Sequence, residues 1–198
     1  MAVVDYLSEN FPEATQVVVT GGSAGAVASP VYGALIADRL PDAPLTVLAD
    51  GSGSYPDQDV LNDKFARMWA TDDAIRALTH SKTAERWSIP GLFELSARHH
   101  PNLVLARHDY AYDGGQAAWF PRVGLRTGDL LRRIDANKRR IERAGIDLHS
   151  YTAPGEDHVA LNDERFYSES VNGVQLSDWV QRLVTGDAAG DVHCPDCR

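Results

Sequence analysis

The chain has 198 residues, 43% of them hydrophobic and 24% charged, which is the make-up of a globular domain large enough to bury a core. Its formal net charge of -9 speaks against a general nucleic-acid binder, which needs a basic face. No stretch approaches the roughly 20 apolar residues of a membrane span, and the opening MAVVDYLSENFPEA has neither a basic leader nor a continuous apolar run, so no signal peptide is expected.

In chain order, residues 3–10 read as the end of a helix closed by Phe11 and Pro12, and residues 16–20 as a short β-branched strand. Residues 26–40 predict a helix punctuated by Pro41 and Pro44, and residues 45–49 a second apolar strand ending in the flexible turn Asp50-Gly-Ser-Gly-Ser. Residues 57–98 contain two or three amphipathic helices, one of them around LNDKFARMWA. A third strand is expected at 102–106, a strongly charged helix at 129–144, a fourth strand at 146–151 and a last helix at 176–185. The basic run from Arg132 to Arg143 is read as a solvated helix face.

Strands alternating with helices, in continuous apolar runs, imply a three-layer α/β fold with a parallel sheet covered on both faces. Residues 1–185 are expected to form the catalytic domain, with a helical insert at about 57–98, and residues 186–198 a flexible tail. Cys194 and Cys197 form a lone C-P-D-C in that tail, where a bridge, half a zinc site or two idle thiols are all open.

In such a sheet, functional residues gather beyond the carboxyl ends of the strands. The first strand runs into VVVTGGSAGAVA, which matches the G-x-S-x-G elbow: Ser23 sits at a strained strand-to-helix turn, with Gly21 and Gly25 expected to supply the close approach. The third strand end delivers HDYAYDGGQ and the fourth TAPGEDH, so Ser23, Asp113 and His158 follow the chain order nucleophile, acid, base of an α/β-hydrolase. A serine hydroxyl needs a histidine to take its proton, and that imidazole needs a carboxylate to hold its tautomer. The amide of Ala24 would be one oxyanion donor. Asp109 competes with Asp113 for the acid role, while His149, within a strand, is read as structural. Tyr55, Trp87, Tyr110, Tyr112, Trp119 and Phe120 lie near these loops or in the insert; a ligand role competes with core packing for each.

The same glycines resemble the dinucleotide loop T-G-x-x-x-G-x-G of short-chain dehydrogenases, with Val27 replacing the last glycine. That family pairs a catalytic tyrosine with a lysine four residues later, and none of the seven tyrosines here has one.

Taken together, the G-G-S-A-G elbow, Y-D-G-G-Q at 112–116 and A-P-G-E-D-H at 153–158 make the chain resemble the pectin acetylesterase and Notum-like carboxylesterase family. FYSESVNGVQLSDWVQRLV is similar to that family's C-terminal part. The resemblance implies an α/β-hydrolase and a serine carboxylesterase that removes acetyl or another short acyl group from a sugar or similar alcohol. It implies no metal and no cofactor, and it places Tyr112, Gln116 and Trp119 near the substrate. It also implies early strands and a glycine-rich second oxyanion loop, for which the stretch before the elbow is too short, so a chain truncated at the N-terminus is expected. A longer family member would be extracellular or at the cell envelope. The expected partner is a small-molecule or carbohydrate ester, and the contrasting readings are a catalytically silent hydrolase fragment or binding module and, behind it, the dehydrogenase.

Overall fold

Apolar strands separated by helix-length segments pair in parallel, because each return to the same end of a sheet needs a long crossover. The computed structural model, which describes residues 2–81 and 86–197, is built this way. Helix α1 (Ala2–Asn10) leads into strand β1 (Val17–Gly22), and α2 (Ala24–Ala37) returns the chain to β2 (Leu45–Asp50). Three helices follow, α3 (Asp59–Trp69), α4 (Thr71–Thr79) and α5 (Ile89–His99), before β3 (Val104–Tyr110). Residues 82–85 of this expected insert lie outside the described residues. The chain continues through α6 (Gly114–Trp119), a 3-10 turn (Phe120–Val123), α7 (Leu130–Arg143), β4 (Leu148–Ala153) and α8 (Arg165–Ser168). It ends with the short antiparallel pair β5 (Ser170–Val171) and β6 (Val174–Gln175), then α9 (Leu176–Thr185) and β7 (Val192–His193).

Five strands form one parallel sheet in the order β1-β2-β3-β4-β7. Strand β2 is buried along its whole length, as a central strand covered on both faces must be. One face of the sheet presents Val47, Ala49, Leu105 and Leu148 to α1, α2 and α5, where Val4, Ile36 and Phe93 pack. The other presents Leu48, Ala106 and Tyr151 to α9, where Leu176, Trp179 and Leu183 pack. A third cluster, around Val31, Phe65, Leu92 and Phe120, fills the space between α2 and the insert helices. The three-layer α/β expectation therefore holds. Strand β1 departs from the continuous-run pattern. It pairs with β2 alone among the described strands, and its residues alternate between half-buried and exposed, as expected of an edge strand.

The expectation of a free C-terminal tail is corrected. Residues 186–197 run back along β4: Val192 and His193 pair with Tyr151 and Thr152, and Ala189, Val192, Cys194 and Cys197 are buried. Trp179 Nε1 donates to the Gly190 carbonyl at 2.9 Å, and the Cys194 amide to Thr152 O at 3.0 Å. Of the three options for the cysteines, the fold takes the bridge, since Cys194 and Cys197 are disulfide-bonded. A polar, glycine-containing segment looks free by composition, but its backbone finds a ladder partner that no local pattern announces.

The basic run on α7 is also more than a solvated face. Arg140 pairs with Asp57 at 2.8 Å and Glu94 at 2.9 Å, and Lys138 with Asp191 at 2.7 Å, tying the helix to the insert and to the C-terminal segment.

Candidate active site

Strand β1 carries no side chain at its last two positions, and the chain then turns sharply into α2 at Ser23, with φ 56° and ψ −114°. A non-glycine residue at positive φ costs about 1–2 kcal/mol and persists where the surroundings force it. Gly21 is required here, because a Cβ on it would overlap the backbone of Gly25. Gly25 itself is not required in this sense: a Cβ there would meet nothing within 4 Å, which corrects the expectation that both glycines exclude a side chain. The Ser23 amide donates to the Asp50 carbonyl at 2.8 Å, so the turn is pinned to the end of β2. Ala24 opens α2, and the amides of a helix's first turn lack intrahelical acceptors and carry the positive end of its dipole.

Asp113 follows β3 and caps α6. Its Oδ1 accepts from the Gln116 amide at 2.8 Å and its Oδ2 from Gln116 Nε2 at 2.7 Å. Ser54 holds that glutamine from behind, donating to Oε1 at 2.5 Å. Both carboxylate oxygens lie 2.8 Å from His158 Nδ1. Asp113 is fully buried while the His158 side chain is 31% exposed, so the ring has one edge on the acid and the other toward solvent. The hydrogen bond to Asp113 raises the His158 pKa above its ordinary value, against the opposing effect of burial. Gly115 leaves room for this pairing, because a Cβ on it would overlap the imidazole.

The loops after β3 and β4 are laced together by main-chain bonds, Tyr112 N to Gly155 O at 3.0 Å and Gly114 N to Glu156 O at 2.8 Å. The C-terminal segment joins in, since Cys197 O accepts from Gly155 N at 3.2 Å. Asp50 secures the other side of the His158 loop. Its buried Oδ2 accepts from the amides of Ala160 at 2.8 Å and Leu161 at 2.9 Å, and its Oδ1 lies 2.7 Å from His108 Nδ1. Asp50→Ala would leave two amides without their acceptor, at about 1–3 kcal/mol for each that stays buried. A stability loss of about 2–4 kcal/mol in denaturant titration is expected, with Asp50→Asn recovering most of it by keeping an acceptor.

Ser23 and His158 line the same two hollows. The first, about 230 Å³, is completed by Ala24, Tyr55, Trp69, Gln116 and Trp119. The second, about 370 Å³, lies on the other side, against Gly22, Val159 and Asn162. A third cavity of about 320 Å³ opens beside the first, sharing Ala24 and Trp69, and is walled by Val27, Val31, Ala74 and Leu92. Among the described residues no hydrogen bond joins Ser23 Oγ to the imidazole, a common state before substrate tightens such a site.

No protein-family model and no curated protein matches the sequence. The fold does have a relative among solved structures. The chain is similar to the Wnt deacylase Notum from Drosophila, at 13% sequence identity and a TM-score of 0.58. The match covers 98% of this chain and 60% of that one. At this identity the likeness speaks for the fold alone, a five-stranded parallel sheet flanked by helices in an α/β-hydrolase-like arrangement.

The strand order separates this fold from the dinucleotide-binding one. A nucleotide crevice forms where successive strands leave the glycine-loop strand on opposite sides. Here β2, β3, β4 and β7 all extend in one direction from β1. The acid at the end of β2, which would meet a ribose in that fold, is occupied with His108 and the 160–161 amides.

Asp109 does not reach His158. It points to the opposite face of the sheet from His108, where Oδ1 accepts from the Gly53 amide at 2.6 Å and Oδ2 lies 2.5 Å from Arg107 Nε. Burial pushes its carboxyl up to about 6, against the pull of Arg107. His149 is structural, as expected, with Nδ1 on Ala189 O at 2.9 Å. Of the expected substrate-side residues, Gln116 and Trp119 border the Ser23 hollow, but Tyr112 does not. Its ring lies in a separate depression with Leu130 and Arg132, because neighbouring residues in the turn before α6 send their side chains apart. Trp69 and Met68 at the end of α3 were not anticipated at the site. Their sequence signal is that of a core helix, and their placement depends on how the insert folds over α2.

Proposed function

We propose that the protein is a serine carboxylesterase that removes acetyl or another short acyl group from a sugar or similar alcohol. The observation that carries this reading is the grip of both Asp113 oxygens on His158 Nδ1, with Ser23, at positive φ, facing the same hollow. In this mechanism His158 Nε2 takes the Ser23 hydroxyl proton as Oγ attacks the ester carbonyl, and Asp113 stays ionised to stabilise the imidazolium. The Ala24 amide, at the N-terminus of α2, donates to the oxygen that becomes negative. Collapse of the tetrahedral species expels the alcohol, protonated by His158, and leaves an acyl-Ser23 ester. Water activated by the same imidazole then releases the carboxylic acid.

Two apolar hollows meet at Ala24, so the acyl side of the site has a greasy wall, while the side toward Asn162 is more polar, with Asp50 and Asn162 in its wall. The test is labelling by a fluorophosphonate probe together with hydrolysis of an aryl acetate, followed by aryl esters of increasing chain length. A covalent adduct at Ser23 and saturable turnover are expected. The absence of Ser23–His158 bonding favours one rival, a silent binding module with hydrolase ancestry. A folded protein that neither labels nor turns over any ester in the series would establish that rival.

A further inference from the structure

At the far end of α2 from Ser23, two helix ends meet. Helix α2 stops at Ala37 with Asp38 as its cap, helix α5 stops at His99 with His100 as its cap, and the two helices pack against each other. His99 Nε2 lies 3.2 Å from Asp38 Oδ1, and His100 Nε2 lies 3.0 Å from the same oxygen. The two imidazoles are edge to face, with centroids 4.8 Å apart, and one ligand atom from each of the three residues falls within 4.8 Å of the others. All three side chains are partly open to solvent, so an ion has a way in.

The electrostatics of this spot call for a cation. Each helix C-terminus carries the negative end of its dipole, and Asp38 adds a full negative charge where a carboxylate is disfavoured. The neighbouring Arg39 turns away to Asp5, at 3.0 Å. Beside the Asp38 carboxylate stand two imidazole nitrogens, both directed at one oxygen. In a tetrahedral site with metal–ligand distances of about 2.0–2.1 Å, ligand atoms stand about 3.3 Å apart, close to the two separations between Asp38 Oδ1 and the imidazole nitrogens.

We propose that Asp38, His99 and His100 bind a divalent transition-metal ion, zinc or its borderline neighbours nickel and copper, as a structural clip between α2 and α5. Two imidazoles with one carboxylate suit these ions, whereas calcium and magnesium take sets of oxygen ligands. Water completes the coordination. The site stands about 20 Å from Ser23, the length of α2 at about 1.5 Å per residue, so the ion braces the helix that carries the nucleophile turn and takes no part in ester chemistry.

The test is calorimetric titration of chelator-treated full chain at about pH 8, under non-reducing conditions that keep Cys194 and Cys197 bridged. Saturable uptake of one zinc per chain is expected, with a raised melting temperature that calcium and magnesium do not reproduce. Asp38→Asn, which keeps the side-chain shape, and the double variant His99→Gln/His100→Gln should each weaken zinc binding by at least about 10-fold, with circular dichroism confirming the fold. Absence of saturable zinc uptake would overturn the proposal. So would wild-type affinity in both variants, or binding that is lost in Cys194→Ser/Cys197→Ser instead.

Discussion

Ser23→Ala is expected to abolish fluorophosphonate labelling and to lower aryl acetate hydrolysis by about 10⁴-fold or more, the scale on which loss of a serine nucleophile acts. The residue leaves no bond behind in the resting state, because its hydroxyl has no hydrogen-bond partner among the described residues. Alanine also tolerates positive φ no better than serine, so the fold should melt at nearly the wild-type temperature. Ser23→Gly makes a sharper pair with it. Glycine adopts φ 56° without the steric cost of a Cβ, so this variant should be equally inactive but more stable, by about 1 kcal/mol. Inactive and stabilised together would mark strain held for the sake of the nucleophile. Unchanged hydrolysis in Ser23→Ala would end the esterase assignment.

Asp113→Asn is the second large effect, with turnover expected to fall by about 10⁴-fold, the cost of losing the carboxylate that sets the imidazole tautomer. Its signature is in the pH profile. The catalytic base works unprotonated, and the hydrogen bond from Asp113 raises the His158 pKa above the ordinary value. In the wild type, kcat/KM should therefore climb with pH through that raised value and level off above it. Removing the carboxylate lowers the pKa, because it deletes the leading cause of the upward shift while burial, which acts downward, remains. The acid limb of the residual activity should move to lower pH, beneath a plateau far below the wild-type one. If rate falls while the limb stays in place, Asp113 acts on something other than His158. Asp109→Asn supplies the contrast: its carboxylate faces Arg107 and Gly53, so its effect should fall mainly on stability, and because its charge adds only a minor upward push on His158 the limb should move down far less than in Asp113→Asn.

Asp50 links the two halves of the site in a way that sets it apart from a general core residue. Its carbonyl holds the Ser23 amide and its carboxylate holds the amides of Ala160 and Leu161, so one residue at the end of β2 fixes both the Ser23 turn and the His158 loop. Misplacement of a catalytic group by about 1 Å can cost about 100-fold in rate. Asp50→Ala should thus lower kcat by roughly that factor beyond its effect on stability, with KM little changed and Asp50→Asn restoring most of both. A variant that melts early but turns over normally once folded would separate the two roles.

The order of strands and helices was legible because each is a local signal: β-branched runs at 17–20 and 45–49, proline stops after α2, a charged amphipathic helix at 130–143. The three chemistry-bearing loops were legible for a related reason, since strand ends in a parallel sheet all open at one edge. Less was legible where a residue's role depends on what packs beside it. In HDYAYDGGQ the glycine turn favours Asp113 over Asp109, but nothing there predicts that Tyr112 turns away, because a side chain's direction at the end of a strand is set by register and by the turn that follows. The short helix α6 escaped for the opposite reason, since its two leading glycines are poor helix formers and only the Asp113 cap and the Gln116 bonds hold its first turn.

The amino-acid sequence alone determined the layered α/β architecture and the chain order of Ser23, Asp113 and His158, because periodicity, turn residues and motif spacing are properties of neighbours in the chain. Only the tertiary structure brought Asp113 onto His158 and turned its competitor Asp109 to Arg107 and Gly53. It also decided that Asp50 pins both the Ser23 turn and the His158 loop, that the C-terminal segment closes the sheet beside β4, and that Asp38 meets His99 and His100 across two helix ends. Those are contacts between residues as many as 111 positions apart. They arise from strand register and helix packing, which no local stretch of sequence encodes.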